Sequence, residues 1–91
     1  MIEKHVKDAL RAYLKEIGAY YFMPVQTGYG ATTLDFLICH RGVFYGVETK
    51  RPGIARPTPA QAVCMSQIVH AGGAVCLENS IGLETVRKMI H

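Results

Sequence analysis

The 91-residue sequence contains no tryptophan, only four prolines and only three cysteines. Cys39, Cys64 and Cys76 form no C-x-x-C pair, and the four histidines are scattered without the spacing of metal ligands. This pattern argues against a disulfide-stapled secreted scaffold and against a zinc site. An odd number of unclustered cysteines is typical of reduced, buried thiols in a cytosolic protein, so we expect a cytoplasmic location.

Long apolar runs are missing as well. No segment approaches the roughly 20 apolar residues that a membrane-spanning helix needs, and the basic N-terminus lacks the hydrophobic stretch of a signal peptide. We therefore expect a soluble protein with no membrane partner. A chain of 91 residues is long enough for one domain, and we assign residues 1–91 to a single domain.

The composition is mildly basic and rich in apolar residues. Ten Lys and Arg against seven Asp and Glu give a formal net charge of +3, which favours polyanionic partners. Hydrophobic residues make up 49% of the chain. Either the core is dense, or part of the apolar surface is buried against a second copy, because two-fold homodimers are the commonest assemblies.

Hydrophobic periodicity divides the chain into seven elements. The predicted helices are 2–17, 59–71 and 81–90, and the predicted strands are 19–25, 34–39, 43–49 and 74–77. Thr58 is the expected N-cap of the second helix, Pro59 its first residue, and Gln61 the partner that completes a capping box. The order α-β-β-β-α-β-α predicts an α/β domain.

Charged residues interrupt the apolar strands at two places. Glu48 and Lys50 are two residues apart at the end of the strand 43–49, so their side chains point to the same face. Asp35 opens the preceding strand and brings a second carboxylate towards the same place. The set suits metal-assisted cleavage of a phosphodiester. The alternative is a buried ion pair of Glu48 with Lys50 or Arg51, because an unpaired buried carboxylate is costly.

Two helical residues extend this set. Glu3 falls inside the apolar arc of the first helix, and Gln61 begins the core-facing stripe of the second helix while also forming its capping box. An inward Glu, an Asp at a strand start, a Glu-x-Lys triplet ending the next strand and a helical Gln form an ordered set along the chain.

This ordered set resembles the virus-type replication-repair nuclease (VRR-NUC) family, a branch of the PD-(D/E)xK phosphodiesterases. The matching positions are Glu3, Gly30 through Asp35, Glu48-Thr49-Lys50 and Gln61. Leu34 stands where the family usually has Pro, and the interval between Gly30 and Asp35 is longer than usual. The resemblance implies a restriction-endonuclease-like core, with a mixed central sheet of about four strands flanked by helices.

The resemblance also implies roles for these residues. Asp35, Glu48 and the backbone carbonyl of Thr49 would bind Mg²⁺ or Mn²⁺, and Glu3 would assist through a bound water or a second metal. Lys50 would orient the attacking water or neutralise charge on the phosphate, and Gln61 would hold Lys50 or the scissile region in place. No organic cofactor is expected.

Basic residues near this set are candidates for contacts with DNA phosphates. They are Arg51 and Arg56 after the Glu-x-Lys strand and Lys4 and Lys7 beside Glu3. Since nothing resembles a base-reading helix, we expect recognition of DNA structure, such as a branch, a flap or a four-way (Holliday) junction. The resemblance favours a homodimer, which suits a symmetric junction.

Two other functions fit the same residues. One is a catalytically silent DNA-binding module of the same fold. The other is a structural or interaction protein in which the charged triplet is an ion pair. That second interpretation leaves the inward Glu3 unexplained, because three acids converging on one place repel each other unless a cation is present.

Overall fold

The computed structural model describes residues 2–26 and 32–91. The elements are α1 (Glu3–Glu16), β1 (Tyr20–Phe22), β2 (Phe36–His40), β3 (Val43–Thr49), α2 (Pro59–His70), β4 (Ala74–Glu78) and α3 (Glu84–Met89). The predicted order α-β-β-β-α-β-α and the α/β class are confirmed. The errors lie at element ends, since β1 is shorter than 19–25 and α3 begins at residue 84 rather than 81.

The four strands form one mixed sheet in the order β1-β2-β3-β4. The first three run antiparallel to their neighbours, whereas β3 and β4 are parallel. Arg41 and Gly42 join β2 to β3 with positive φ angles of 52° and 80°, the conformation that tight two-residue hairpins favour. The parallel pair requires a crossover, and α2 provides it.

One face of the sheet packs against α1 and α3. Phe36, Ile38 and Val47 point to this side and form one buried cluster with residues of both helices. The Tyr13 hydroxyl of α1 also donates a buried hydrogen bond of 3.1 Å to the carbonyl of Ile90, just after α3. This face is therefore the main hydrophobic core.

The other face packs against α2 at β3. Gly46, adjacent to Val47 and so on the opposite face, makes this approach possible. A Cβ atom at Gly46 would lie 2.8 Å from Leu34 Cδ1 and 2.9 Å from Ile68 Cδ1 of α2. The same alternation turns the side chain of Glu48 towards α2.

The coverage by α2 is partial, which explains a wrong prediction. Cys64 is buried and Cys76 is half-buried, but Cys39, predicted to be a buried thiol, is exposed. Cys39 lies on β2 on the same sheet face as α2, yet α2 packs on β3 and β4.

In residues 2–26 and 32–91, no helix is both long enough and apolar enough to cross a membrane.

A buried carboxylate fixes the start of α3. Glu78 at the end of β4 is 1% exposed. Its Oε1 accepts hydrogen bonds from the backbone N–H groups of Thr85 (3.0 Å) and Val86 (2.9 Å), and its Oε2 accepts one from Ser80 (3.3 Å). These bonds satisfy helix-start donors that would otherwise be unpaired.

We expect Glu78→Ala to lower the free energy of unfolding by about 2–4 kcal/mol, because buried N–H groups lose a charged acceptor. Urea denaturation measures this loss. The matched control is Glu84→Ala, which removes an exposed carboxylate from the first turn of α3. An equal unfolding midpoint for both variants would contradict the assigned role of Glu78.

Candidate active site

The predicted site residues converge at one end of the sheet. The start of β2 and the end of β3 meet there, and the first turns of α1 and α2 lie beside them. Asp35, Glu48, Lys50 and Gln61 are joined by direct contacts. Glu3 is connected to them through a lysine of its own helix.

Asp35 and Glu48 are tied together across two antiparallel strands. Phe36 pairs with Val47, so Asp35 stands opposite Glu48 at the next position. The backbone N–H of Asp35 donates to Glu48 Oε1 at 3.2 Å. In return, Asp35 Oδ2 accepts from Thr49 N at 3.1 Å and from the Thr49 hydroxyl at 2.7 Å. The two carboxylates therefore lie at one place on the sheet.

The Glu48 carboxyl is in an unfavourable environment for its charge. The residue is 3% exposed. Burial and then the neighbouring charge of Asp35 raise the pKa of Glu48 to about 7, although the Lys50 ammonium acts in the opposite direction. Such a perturbed acid is typical of functional sites, because folding alone gains nothing from crowding two carboxylates.

Gln61 both caps α2 and contacts the site. Thr58 Oγ1 accepts from the Gln61 backbone N–H at 3.2 Å, and Gln61 Oε1 accepts from the Thr58 N–H at 2.9 Å, which is the predicted capping box. Because its oxygen is held by Thr58, the amide nitrogen faces Glu48 and donates to Oε2 at 2.8 Å. Lys50 Nζ lies 3.6 Å from the same oxygen.

Glu3 occupies a different position from the inward one we expected. Its side chain is 41% exposed, and it contacts Lys7 Nζ at 3.0 Å. Lys7 Nζ in turn lies 3.9 Å from Asp35 Oδ1. Glu3 therefore reaches the paired carboxylates only through Lys7.

Lys7 is the site residue whose position sequence reasoning missed. The sequence assigned it to DNA binding beside Glu3, whereas it stands between two acids, Glu3 and Asp35. Its i, i+4 spacing from Glu3 was the available signal. Burial opposes the Lys7 charge, but the hydrogen bond to Glu3 and the charges of Asp35, Glu3 and Glu48 outweigh it and raise the pKa of Lys7. Lys7 thus supplies a cation for the three acids.

The other basic candidates lie at the periphery. Lys4 is exposed and pairs with Asp8 at 2.9 Å, away from Asp35. Arg51 and Arg56 are exposed in the segment that follows Lys50. Gly30, the glycine of the resemblance, lies outside the described residues.

The oxygen donors at this place fit a hard divalent cation. Within residues 2–26 and 32–91, no group of three or more His, Cys, Asp or Glu side chains is arranged to hold a metal ion. The donor set is therefore two carboxylates, Asp35 and Glu48. Mg²⁺ is commonly bound by one or two carboxylates and keeps several waters, so this set suits it, with the Thr49 carbonyl as a further candidate ligand.

The raised pKa of Glu48 predicts a pH dependence of stability. Between the ordinary pKa of 4.5 and about 7, the folded state holds a proton on Glu48 that the unfolded state has lost. The free energy of unfolding should therefore decrease as pH rises through this window. Glu48→Gln has no proton to lose at this position, so the free energy of unfolding of the wild type should decrease relative to that of the variant as pH rises.

Urea denaturation of both proteins from pH 4 to pH 8 measures this difference. Glu16→Gln, at an exposed carboxyl near the end of α1, is the control and should follow the wild type. A difference between wild type and Glu48→Gln that stays constant with pH would contradict the raised pKa.

Comparison with solved structures gives a likeness that covers almost the whole chain. A solved structure called "VRR_NUC domain" superposes with a TM-score of 0.78 at 20% sequence identity, covering 98% of this chain and 97% of that chain. No family model matches the sequence, and a comparison with curated proteins found no match. The chain therefore has the fold of that VRR_NUC domain, as the ordered motif implied.

Proposed function

We propose that this chain is a Mg²⁺- or Mn²⁺-dependent endonuclease that hydrolyses phosphodiester bonds in structured DNA. The observation that carries the proposal is the Asp35–Glu48 pair, tied across β2 and β3 with Lys50 Nζ 3.6 Å from Glu48. The likeness in fold to a VRR_NUC domain supports it. The three free thiols suit action in the reducing cytoplasm.

Asp35, Glu48 and the backbone carbonyl of Thr49 would hold the metal ion. When bound, such an ion polarises the phosphate and lowers the pKa of a coordinated water. Asp35 keeps its position because Thr49 donates two hydrogen bonds to its Oδ2. The buried Glu48 carboxyl is held in the same way by the backbone of Asp35 and by Gln61.

Lys50 is the proposed stabiliser of charge that develops on the phosphate. Its separation of 3.6 Å from Glu48 Oε2 is longer than a hydrogen bond, so the ammonium retains donors for a phosphate oxygen. Gln61 positions this pair, because its amide is fixed at one end by Thr58 and at the other by Glu48. Phosphoryl transfer requires mainly such positioning and charge stabilisation.

The segment after Lys50 is a suitable contact for the DNA backbone. Its first turn closes with a hydrogen bond of 3.2 Å from Ile54 N to Arg51 O, and Gly53 takes the positive φ of 95° that this turn needs. Asn79 Nδ2 donates to Ile54 O at 2.8 Å and fixes the turn to the end of β4. Arg51 would therefore bind a phosphate from a held position, and the exposed Arg56 would extend the contact, without reading sequence.

Lys4 and Lys7 of α1 are the other basic residues proposed to contact DNA. Of the two, we propose Lys4 as the simpler phosphate contact, because its side chain is 74% exposed and pairs with Asp8. Exposed ion pairs of this kind contribute little to stability, so a phosphate can replace Asp8 at small cost. Contacts spread over two elements favour a branch, a flap or a four-way junction over a simple duplex.

A second copy of this chain is the proposed protein partner. Tyr20, Cys39 and Phe44 lie side by side across β1, β2 and β3 on the face that α2 leaves open. Tyr20 is 71% exposed and Phe44 44% exposed. Apolar rows of this kind mark contact surfaces, and a homodimer would present two sites to a symmetric junction.

The catalytically silent DNA-binding module is the competing function. The contacts among Asp35, Glu48 and Lys50 favour the enzyme, because a binding module gains nothing from a buried acid next to a second carboxylate. Tight binding of DNA without cleavage under any metal condition would select the module instead.

Cleavage should require the metal and Lys50. Linear duplex, single-stranded, flap and four-way-junction DNA are incubated with Mg²⁺, Mn²⁺ or EDTA. We expect cleavage of branched DNA with either metal and none with EDTA. Lys50→Met should lower the rate by about 100-fold or more, the size of effect seen when one stabilising group is removed from a transition state.

Lys15→Met, at an exposed position in the last turn of α1, is the matched control and should cleave at the wild-type rate. Thermal unfolding of both variants separates a loss of chemistry from a loss of fold. Equal rates for the two folded variants, or cleavage in EDTA, would contradict the proposed mechanism.

Sedimentation equilibrium tests the proposed assembly. We expect a dimer, and Phe44→Glu should shift it towards monomer because a carboxylate would be buried in the contact. Ile2→Glu, which charges an apolar residue that is 56% exposed at the start of α1, should remain dimeric. A monomeric wild type at all concentrations would contradict the dimer without affecting the proposed chemistry.

A further inference from the structure

Lys7 stands between the outer acid of α1 and the paired carboxylates. Its Nζ atom lies 3.0 Å from Glu3 Oε2 and 3.9 Å from Asp35 Oδ1. The Lys7 side chain is 31% exposed and is therefore partly buried. Beyond balancing the charge of the acids, Lys7 has no role in the chemistry proposed above.

Each carboxylate of the Asp35–Glu48 pair has its own lysine. Lys50 contacts Glu48, and Lys7 contacts Asp35 and Glu3. Three carboxylates and two ammonium groups therefore form one connected set. A divalent cation held by Asp35 and Glu48 would bring two positive charges next to the Lys7 ammonium, and like charges at such separations repel strongly in a partly buried site.

We propose that the Lys7 ammonium group competes with the divalent cation for Asp35. When the metal and DNA are both bound, the ammonium group leaves Asp35 and contacts a DNA phosphate. The metal and DNA therefore bind cooperatively. This inference rests on the metal site of the proposed function. Coupling of this kind is reciprocal: if DNA tightens metal binding, the metal tightens DNA binding by the same factor.

The structure gives Lys7 the freedom that this role needs. Its ammonium group is carried on a flexible four-carbon chain, which can turn without moving the helix. Its closest partner, Glu3, is 41% exposed and lies one turn earlier on the same helix, so that pair is easily broken. Lys4 cannot act in the same way, because it pairs with Asp8 and not with Asp35.

Titration calorimetry with Mn²⁺ in the absence of DNA tests the competition directly. Lys7→Met keeps most of the apolar stem of the side chain and removes the charge. We expect it to bind Mn²⁺ about tenfold more tightly than the wild type, within the usual range of coupling between sites. Lys4→Met removes the same charge from the same helix and should leave the affinity within about twofold, because exposed charges at a distance are screened.

Lys7→Arg separates charge from packing. It retains the positive charge, so its Mn²⁺ affinity should stay near that of the wild type. If Lys7→Met and the wild type bind Mn²⁺ with equal affinity, the inference is wrong. If Lys7→Arg tightens binding as much as Lys7→Met, the effect comes from packing and the inference is equally wrong.

The cooperative part is tested by fluorescence anisotropy with branched DNA, with and without Mn²⁺. The measurements use a Lys50→Met background, in which cleavage should be slower by about 100-fold or more. Mn²⁺ should raise DNA affinity several-fold in that background, and by a clearly smaller factor when Lys7→Met is added. If Mn²⁺ raises the DNA affinity of both proteins by the same factor, the proposed contact of the Lys7 ammonium group with a DNA phosphate is contradicted.

These outcomes distinguish the inference from the proposed function. If the wild type cleaves DNA with metal but Lys7→Met leaves Mn²⁺ affinity unchanged, only the role of Lys7 fails. If neither the wild type nor Lys7→Met binds Mn²⁺, the metal site fails and the inference fails with it.

Discussion

The site depends on the register of β2 against β3. Phe36 pairs with Val47, and this pairing places Asp35 opposite Glu48, where each residue accepts a hydrogen bond from the backbone at or beside the other. Side chains alternate faces along a strand, so a slip of one residue would turn Glu48 into the α1 and α3 core and separate the pair. The tight Arg41-Gly42 turn fixes the register.

This register creates an electrostatic conflict that the surrounding residues reduce but do not remove. Burial and the charge of Asp35 raise the pKa of Glu48, while Lys50, Gln61 and Lys7 supply compensating charge and hydrogen bonds. Crowded acids are a cost to folding that evolution retains mainly where function needs them. In the proposed function, a divalent ion bound at this place would relieve the repulsion between the two carboxylates.

Most of the fold and part of the site could be predicted from the sequence. Strand β3 was predicted at its observed bounds, because an apolar run ended by Glu-x-Lys leaves little ambiguity. Gln61 was expected both to cap α2 and to face the site, and its two amide atoms make both contacts. These predictions succeeded because they depend on local periodicity and capping chemistry, which the sequence carries directly.

The failures concern contacts between distant elements. Lys7 lies at the border of the apolar arc of α1, and its partner Asp35 is 28 positions away, so periodicity could not identify that contact. Cys39 was predicted to be buried, but it is exposed. The sequence pattern of β2 does not reveal how far α2 extends across the sheet, so this error could not be avoided from the sequence. Glu3 was expected to point inward, but its carboxylate is partly exposed and lies beside Lys7 at the edge of the site.

The central claim is that Asp35 and Glu48 together hold one divalent cation. Crystals grown with Mn²⁺ test it through the anomalous signal of the metal. The account predicts a peak within about 2.0–2.6 Å of a carboxylate oxygen of both residues, the range for oxygen ligands of hard cations. A peak elsewhere on the protein, or none at saturating Mn²⁺ with the Asp35–Glu48 bonds intact, would contradict it.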